Sequence, residues 1–370
     1  MHGPSTSILR EADRLMTVCN SCRYCEGLCA VFPAMEMRRA FSDGDLNYLA
    51  NLCHACGACY ADCQFAPPHE FNVNVPQTLA IARAESWAHY AWPRGLAGLF
   101  ARNGLVISIV AALSVAAFVF GFAAFTDPAV LYGVHTGPGA FYKLMPHNAM
   151  AVLFSAAFLY AILALVMGVR AFWRDIGKPV GMTTGPRALL QALRDAGELR
   201  YLHGGGVGCY NADERPTDRR KLFHHLTFYG FVLCFAATSV ATLYHYLLAR
   251  EAPYPWWDLP VVLGTLGGVG LVTGPVGLLL AKEARLPAMR DDSHKGMDTA
   301  FILMLFLTGA TGLPLLALRA TAAMGPLLAL HLGIVFALFI TMPYGKFVHG
   351  IYRYAALVRY ARERQTMAGE

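Results

Sequence analysis

The sequence predicts a mainly α-helical protein in two parts, a small helical domain at the N-terminus followed by a bundle of six transmembrane helices. Three observations support this fold class. Eight of the ten cysteines lie in the first 63 residues, within a segment of ordinary polar composition. Six apolar runs follow from residue 105, and none of them contains Asp, Glu, Lys or Arg. Charged residues make up 15% of the chain, whereas roughly 25% is usual in soluble globular proteins.

The N-terminal cysteines form two quartets with the same spacing, C-x2-C-x2-C-x3-C. The quartets are Cys19, Cys22, Cys25 and Cys29, and then Cys53, Cys56, Cys59 and Cys63. Three closely spaced thiolates bind one face of an iron–sulfur cube, and the fourth cysteine of such a run ligates the other cluster in proteins with two clusters. The spacing therefore predicts a ferredoxin-like helical domain with two 4Fe–4S clusters over residues 1–80.

Cross-pairing of the quartets sets the expected ligands of each cluster. Cluster 1 takes Cys19, Cys22, Cys25 and Cys63, and cluster 2 takes Cys53, Cys56, Cys59 and Cys29. Zinc is the alternative, because four thiolates also bind zinc, but zinc sites typically use two cysteine pairs separated by a longer gap. Ala30 and Gln64 follow the last cysteines, where the ferredoxin pattern has proline. His54 and His69 lie in the same domain and are expected to make local hydrogen bonds.

The cysteine domain is expected to remain in the cytoplasm. Residues 1–17 are polar and carry four charges in the part where a secretory signal needs an apolar core. Cytoplasmic thiols stay reduced, so a dense cysteine pattern there indicates metal binding rather than disulfides. The net charge of +6 is explained by membrane orientation, and no nucleic-acid partner is expected.

Six apolar runs of 19 to 23 residues predict the transmembrane helices, because each is long enough to cross a hydrocarbon core of roughly 30 Å. The predicted spans are 105–125, 149–169, 226–248, 259–281, 299–318 and 327–345. They form a membrane domain over residues 105–350, with an interfacial connector at 81–104 before it and a cytoplasmic tail at 351–370 after it.

Basic residues in the loops predict the orientation of the bundle. Lysine and arginine are concentrated in residues 170–223, 282–295 and 346–364, whereas the alternate loops contain only Lys143, Arg250 and Arg319. Loops rich in these residues stay on the cytoplasmic side. Both termini and both clusters are therefore expected to be cytoplasmic.

Three segments of the membrane half have simple structural interpretations. Residues 187–199 have apolar side chains at helical spacing and predict an interfacial amphipathic helix. Residues 204–206, Gly-Gly-Gly, indicate a turn rather than a nucleotide loop, because no strand precedes them. Small residues in span four have the spacing that lets two helices approach closely. They are Gly264, Gly268, Gly270 and Gly274. A helix break for substrate binding at Pro275 is the alternative.

Histidines lie near both ends of two predicted spans. His331 and His349 are 18 residues apart around span six, which is five turns of one helix and about 27 Å along its axis. In span three, His224 and His245 are 21 residues apart and differ by about 60° around the axis. His225 points almost opposite His245.

This placement predicts two bis-histidine sites for b-type haem between the two helices. His224 or His225 with His349 would lie near the cytoplasmic face, and His245 with His331 near the outer face. Ordinary interfacial histidines are the alternative interpretation. His147 and His294, which also lie near span ends, are competing ligands or residues of a quinone site.

Four longer stretches resemble a known family. They are PHEFNVNVP at 68–76, YNADERP at 210–216, FHHLTFYGF at 223–231 and MPYGKFVHGIYR at 342–353. Together with both quartets they make the chain similar, over essentially its whole length, to the tricarballylate-utilisation protein B (citrate-utilisation B) family. The resemblance implies a multi-pass protein of the bacterial inner membrane that reoxidises the reduced FAD of a tricarballylate dehydrogenase and passes electrons to quinone.

The expected function is therefore electron transfer between a soluble or peripheral flavoprotein and quinone within membrane lipid. The sequence has no dinucleotide fingerprint on a strand–turn–helix and no soluble catalytic domain. We thus expect an oxidoreductase component without a substrate dehydrogenase site of its own. The alternatives are a redox-gated transporter and a redox sensor. Uncharged spans and the lack of an inverted repeat argue against the first, and the lack of an output domain argues against the second.

Overall fold

A computed structural model of the chain describes residues 5–177 and 185–367. Lys178, one of the basic residues of the long loop, lies outside the described residues. So do residues 1–4 of the predicted N-terminal domain and residues 368–370 of the predicted tail. The predicted mainly α-helical fold is confirmed. The N-terminal part contains five helices: α1 (Ser7–Cys22), α2 (Val31–Glu36), α3 (Asp43–Leu52), α4 (Ala58–Ala61) and α5 (Val75–Tyr90).

The described residues after α5 form nine further helices: α6 (Asn103–Phe125), α7 (Pro128–Leu131), α8 (His147–Asp175), α9 (Pro186–Gly197), α10 (Arg219–Leu248), α11 (Leu259–Glu283), α12 (Lys295–Ala317), α13 (Met324–Thr341) and α14 (Val348–Met367). Short 3-10 turns connect several of them, at Arg94–Phe100, Ala140–Lys143, Gly204–Gly206, Pro287–Met289 and Met342–Tyr344. In the described part of the chain the strands are a short antiparallel pair, β1 (Cys209–Tyr210) and β2 (Pro216–Thr217).

Six of these helices are long and apolar enough to cross a membrane, as predicted: α6, α8, α10, α11, α12 and α13. Helix α10 has 30 residues and begins at Arg219, seven residues before the predicted span at 226. At 1.5 Å per residue it is about 45 Å long, and it therefore projects beyond a hydrocarbon core of roughly 30 Å. The projecting turns lead to the N-terminal domain, so we call this end of the bundle the cluster side.

The glycines of span four do pack against neighbouring helices. A Cβ added at Gly270 would lie 2.7 Å from the carbonyl oxygen of Leu226 on α10, and one added at Gly268 would lie 2.7 Å from Leu313 on α12. Small residues thus let the backbones of α10 and α11 approach closely. Helix α11 continues through Pro275 without interruption, so the alternative of a substrate-binding helix break is not supported.

The last predicted span is not one continuous helix. Helix α13 ends at Thr341, the chain makes a 3-10 turn, and α14 begins at Val348. Pro343 cannot donate a backbone N–H to a helical hydrogen bond, and Gly345 has extended backbone angles. His331 and His349 consequently lie on different helices, and the expectation that they share one face of a single helix is wrong.

The predicted cytoplasmic tail is a packed helix. Helix α14 contacts α3, α8 and α9, and its residues Tyr352, Ala356 and Leu357 are at most 3% exposed. These side chains share one hydrophobic core with Trp87 of the N-terminal part and Phe172 of α8. The predicted boundary at residue 80 likewise falls inside α5. The cysteine domain and one end of the bundle therefore share one hydrophobic core.

An ion-pair network fastens α14 to α3. Glu363 pairs with Arg359 at 2.9 Å and with Arg38, and it accepts a hydrogen bond of 2.9 Å from the Tyr48 hydroxyl. Arg38 also pairs with Asp45 at 2.8 Å. The Glu363 side chain is only 10% exposed. Its removal would leave two largely buried guanidinium groups short of a partner.

We expect Glu363→Ala to lower the free energy of unfolding by about 3 kcal/mol, because breaking a largely buried ion pair leaves an uncompensated charge. The matched control is Glu198→Ala, which breaks the exposed pair with Arg194 on α9 and should cost less than about 0.5 kcal/mol. Denaturant unfolding in detergent measures both variants. Equal destabilisation by the two substitutions would contradict the role assigned to Glu363.

Candidate metal centres

The cysteines line two adjoining cavities in the N-terminal domain. The first, cluster site 1, is lined by Cys19, Cys22, Cys25 and Cys63. The second, cluster site 2, is lined by Cys29, Cys53, Cys56 and Cys59. Phe32 and Val75 line both cavities, and Cys59 also reaches the edge of the first. The structure thus brings together the two ligand sets that the cross-pairing predicts.

The chemistry of the thiols suits bound iron. Burial, together with the neighbouring thiols of Cys25, Cys63 and Cys22, raises the pKa of Cys19 to about 12. Burial also raises the pKa of Cys56 to about 11. Such thiols ionise at neutral pH only when a cation binds them, as metal coordination does. Within residues 5–177 and 185–367, no three His, Cys, Asp or Glu side chains converge on one point that could hold a single metal ion.

The two cluster sites differ in exposure. Cys22 at site 1 is exposed, and its neighbour Tyr24 is 73% exposed. Cys53 at site 2 is only 7% exposed. Site 1 therefore faces solvent, and site 2 lies towards the core shared with the bundle.

The glycine turn after α9 covers site 2. Gly204 has a φ of +52°, and a Cβ there would lie 2.7 Å from the Cβ of Ala58 and 3.5 Å from the sulfur of Cys56. The positive φ and the close approach both favour glycine. Residues 204–206 do form a turn, as the sequence indicates, and the structure adds that this turn lies against a cluster ligand.

His54 occupies the wall of site 2 that faces the bundle. Its Nδ1 lies 3.1 Å from the carbonyl oxygen of Leu52, which can only accept, so Nδ1 carries the proton. Burial and the charges of Arg353, Arg220 and Arg83 hold the pKa of His54 well below its usual value, and the ring is neutral. His69 accepts a hydrogen bond of 3.1 Å from the backbone N–H of Phe71. Both make the local hydrogen bonds expected of them.

A histidine pair lies at the cluster side of the bundle, between the start of α10 and the start of α14. The ring centroids of His224 and His349 are 6.0 Å apart. Two imidazoles bound on opposite sides of a metal, each nitrogen at about 2 Å, have centroids separated by about 6 Å. The spacing therefore fits two axial ligands of one metal. His225 turns away, with its ring 5.7 Å from that of Tyr229.

The proton position on His349 also suits ligation. His349 Nδ1 lies 2.6 Å from the carbonyl oxygen of Lys346, so Nδ1 donates and Nε2 keeps its lone pair. Metal-bound histidines usually hold their second nitrogen in this way. Burial, with the charges of Arg353 and Lys346, keeps the pKa of His349 well below its usual value. Nδ1 of His224 is buried and has no hydrogen-bond partner among the described residues.

The opposite end of the bundle differs from the prediction. His245 stacks on His147 of α8, with ring centroids 3.5 Å apart and an angle of 19° between the planes. His331 lies deeper in the bundle, where its Nδ1 is 2.8 Å from the Thr311 hydroxyl. The structure therefore gives no support to the pairing of His245 with His331. Stacked rings present their faces rather than their nitrogens to each other, so His147 and His245 do not form an axial pair as they stand.

The remaining candidate, His294, is engaged elsewhere. Its Nδ1 lies 2.8 Å from a carboxylate oxygen of Asp291, just before α12. The structure brings it neither to the His224–His349 pair nor to the His147–His245 stack, so it gives no support to His294 as a haem ligand.

Comparisons with known proteins divide the chain in the same way. A family model described as "Citrate utilization protein B Fer4-like domain" matches residues 12–89, and one described as "Citrate utilization protein B" matches residues 98–370. A relative from Escherichia coli, "Citrate utilization protein B", is 50% identical over 356 residues, which cover 96% of this chain and 92% of the relative. No solved structure matches the chain.

Proposed function

The chain belongs to the citrate utilization protein B family, and we propose that it is a membrane electron-transfer protein that reoxidises the reduced FAD of a partner dehydrogenase. The electrons pass through two 4Fe–4S clusters and a b-type haem to quinone. The supporting observation is the order of the sites: exposed cluster site 1, adjoining cluster site 2, then the His224–His349 pair at the start of α10.

Each residue set has a separate task in this proposal. The groups bound there supply one-electron redox chemistry, which divides the two-electron oxidation of a flavin into single steps. Cys22 and Tyr24 place site 1 where a soluble donor can approach, since both are exposed. Cys29 and Cys59 line site 2, and Cys59 also reaches the edge of site 1. The neutral His54 lies between site 2 and the histidine pair.

A cluster at each cysteine set is favoured over zinc. Four thiols that surround a cavity accommodate a four-iron cube, whereas zinc draws four sulfurs to about 2.3 Å from a single point. The matching Fer4-like family model over residues 12–89 favours the same choice.

The name of the E. coli relative supports a proposal for the substrate of the partner dehydrogenase. We propose a tricarboxylate, citrate or tricarballylate, because the E. coli relative is named for citrate utilisation and the motifs resemble tricarballylate-utilisation proteins. The chain would serve in the bacterial inner membrane, with the basic loops and the clusters on the cytoplasmic side. The carboxylate chemistry belongs to the partner, and this chain accepts only its electrons.

The test is anaerobic mixing of the purified chain with a tricarballylate dehydrogenase whose FAD has been reduced by tricarballylate. We expect EPR signals of reduced 4Fe–4S clusters and a reduced-haem optical spectrum, both of which disappear when a soluble quinone analogue is added. The control is the same chain after chelators have removed its iron, which should accept no electrons. Tricarballylate-dependent dye reduction by the chain alone, or clusters that stay oxidised with the reduced partner, would contradict the proposal.

A further inference from the structure

Four arginines converge on the loop that begins cluster site 2, residues 51–55. They come from distant parts of the chain: Arg83 from α5, Arg220 from α10, Arg285 from the segment after α11, and Arg353 from α14. Arg83 is 7% exposed, and the other three are half-buried. We call these four residues the arginine shell.

The arginine shell binds the loop through its carbonyl oxygens. Arg353 donates to the carbonyl of Cys53 at 2.9 Å, and Arg83 donates to the same oxygen. Arg220 and Arg285 share the carbonyl of Ala55, at 3.0 and 2.7 Å. Arg220 also donates to the carbonyl of His54 at 3.1 Å. These acceptors are neutral, so the hydrogen bonds leave the positive charges unbalanced.

Carboxylates do not neutralise the arginine shell. In the described parts of the chain, none of the four guanidinium groups has a carboxylate oxygen within 4.0 Å. The acidic groups that influence Arg83, Asp298 and Asp291, are paired at 2.6 Å with Lys346 and at 2.8 Å with His294. Partly buried charges normally have a partner of opposite sign, and the residues that the structure describes do not supply one.

The charges persist at neutral pH. Burial and the neighbouring guanidinium of Arg220 lower the pKa of Arg285 to about 10. Burial and the guanidinium of Arg83 lower the pKa of Arg353 to about 9. The Nε–H groups of Arg83 and Arg285 are buried without an acceptor among the described residues.

Cluster site 1 is lined by a carboxylate instead of by guanidinium groups. Among the residues that line its cavity, the side chain with a carboxyl or a basic group is that of Asp62. A 4Fe–4S cluster with four thiolate ligands is an anion and becomes more negative when it is reduced. Nearby cations therefore favour its reduced form, and nearby anions disfavour it.

We propose that the arginine shell is the counter-charge of cluster 2 and makes it a stronger electron acceptor than cluster 1, so that electrons move from site 1 towards the bundle. This inference rests on the proposed function, since it requires clusters at both cysteine sets. In the step concerned, reduced cluster 1 loses one electron and oxidised cluster 2 gains it. No bond is made or broken, and the reduced flavin of the partner supplies the electron.

The experiment is an anaerobic redox titration of the purified full-length chain, followed by EPR. Signals are assigned to the two sites with Cys19→Ser and Cys53→Ser variants. Arg285→Gln removes one charge of the shell, and the carbonyl of Ala55 keeps its bond from Arg220. We expect the equilibrium constant for electron transfer from cluster 1 to cluster 2 to fall about tenfold, which is about 59 mV for one electron. Arg285→Lys keeps the charge and should retain the wild-type value.

Arg353→Gln should give a change in the same direction, and Arg353→Lys should restore the wild-type value. The matched control is Arg359→Gln, on the same helix, where the arginine is 8% exposed but is neutralised by Asp45 and Glu363. This control should leave both potentials unchanged. If Arg353→Gln fails to assemble cluster 2, the comparison of Arg285→Gln with Arg285→Lys tests whether the arginine shell raises the potential of cluster 2.

Two results would overturn the inference: a wild-type cluster 2 with the lower potential, or unchanged potentials in Arg285→Gln with both clusters present. Failure of the proposed function looks different. In that case iron analysis of the wild-type chain finds no clusters, and the dithionite-reduced protein gives no EPR signal.

Discussion

Replacing Cys63 with serine should remove cluster 1 and leave cluster 2 in place, although Cys63 belongs to the second cysteine quartet of the sequence. The reason is spatial: Cys63 lines the same cavity as Cys19, Cys22 and Cys25. Loss of one thiolate from a four-thiolate set leaves one iron without its ligand. The iron content should fall by about half, and the EPR spectrum of the reduced protein should keep only the signal of the buried site.

The reciprocal variant sharpens this test. Cys29→Ser should remove cluster 2 and keep cluster 1, since Cys29 lines the cavity of Cys53, Cys56 and Cys59. Cys209→Ser is the matched control, because Cys209 is buried and packs beside Cys56 but lies outside both ligand sets. It should retain both clusters. If Cys63→Ser instead removed the signal that Cys53→Ser removes, each quartet would bind its own cluster and the cross-pairing would be wrong.

Local patterns predicted most of this fold. The repeated cysteine spacing sufficed to predict which cysteines share a site, because three ligands of each predicted cluster lie within a stretch of seven residues. Length and apolar character sufficed for the six spans. The helix end at Thr341 was also visible in principle, since Pro343 and Gly345 follow it. The apolar run itself continues to residue 345, so a prediction from apolar character alone extends the helix past Thr341.

Contacts between helices could not be predicted in the same way. Angular register shows which residues share a face of one helix, but not which neighbouring helix that face meets. His245 therefore meets His147 on α8 rather than His331 on α13. The arginine shell could not be predicted for a related reason, because its members are spread from residue 83 to residue 353. Arg220, Arg285 and Arg353 lie in the basic loops that predict the orientation, and nothing in the sequence links them to Arg83.

One sequence signal could have revealed the shell. Arg220 lies four residues before His224, and Arg353 lies four residues after His349. Each paired histidine therefore has an arginine on the same face of its helix, one turn away. A charge repeated one turn from two candidate ligands suggests that both helix ends face one anionic group. A surface ion pair within the helix does not explain either arginine. The residue four positions before Arg220 is Pro216, and the residue four positions after Arg353 is Leu357, so neither is acidic.

Replacing His349 with alanine should abolish the haem that we propose at the cluster side. His349 presents a free Nε2 because its Nδ1 donates to the carbonyl of Lys346, and alanine has no nitrogen with which to replace it. His224→Ala should have the same effect, because its ring centroid lies 6.0 Å from that of His349, which is the separation expected of two imidazoles that bind one metal. The measurement is the reduced-minus-oxidised absorbance spectrum of the purified protein, together with its extracted haem content.

His225→Ala is the matched control, since it makes the same substitution one residue away, on a ring that packs against Tyr229. It should retain the spectrum in full. His331→Ala should also retain the haem of the cluster side, because His331 bonds to Thr311 within the bundle. If the haem spectrum is retained in His349→Ala but lost in His331→Ala, the haem lies in the interior of the bundle. Electrons leaving site 2 would then have to travel past Arg353 and His54 without a neighbouring acceptor, and the order of sites proposed for this chain would fail.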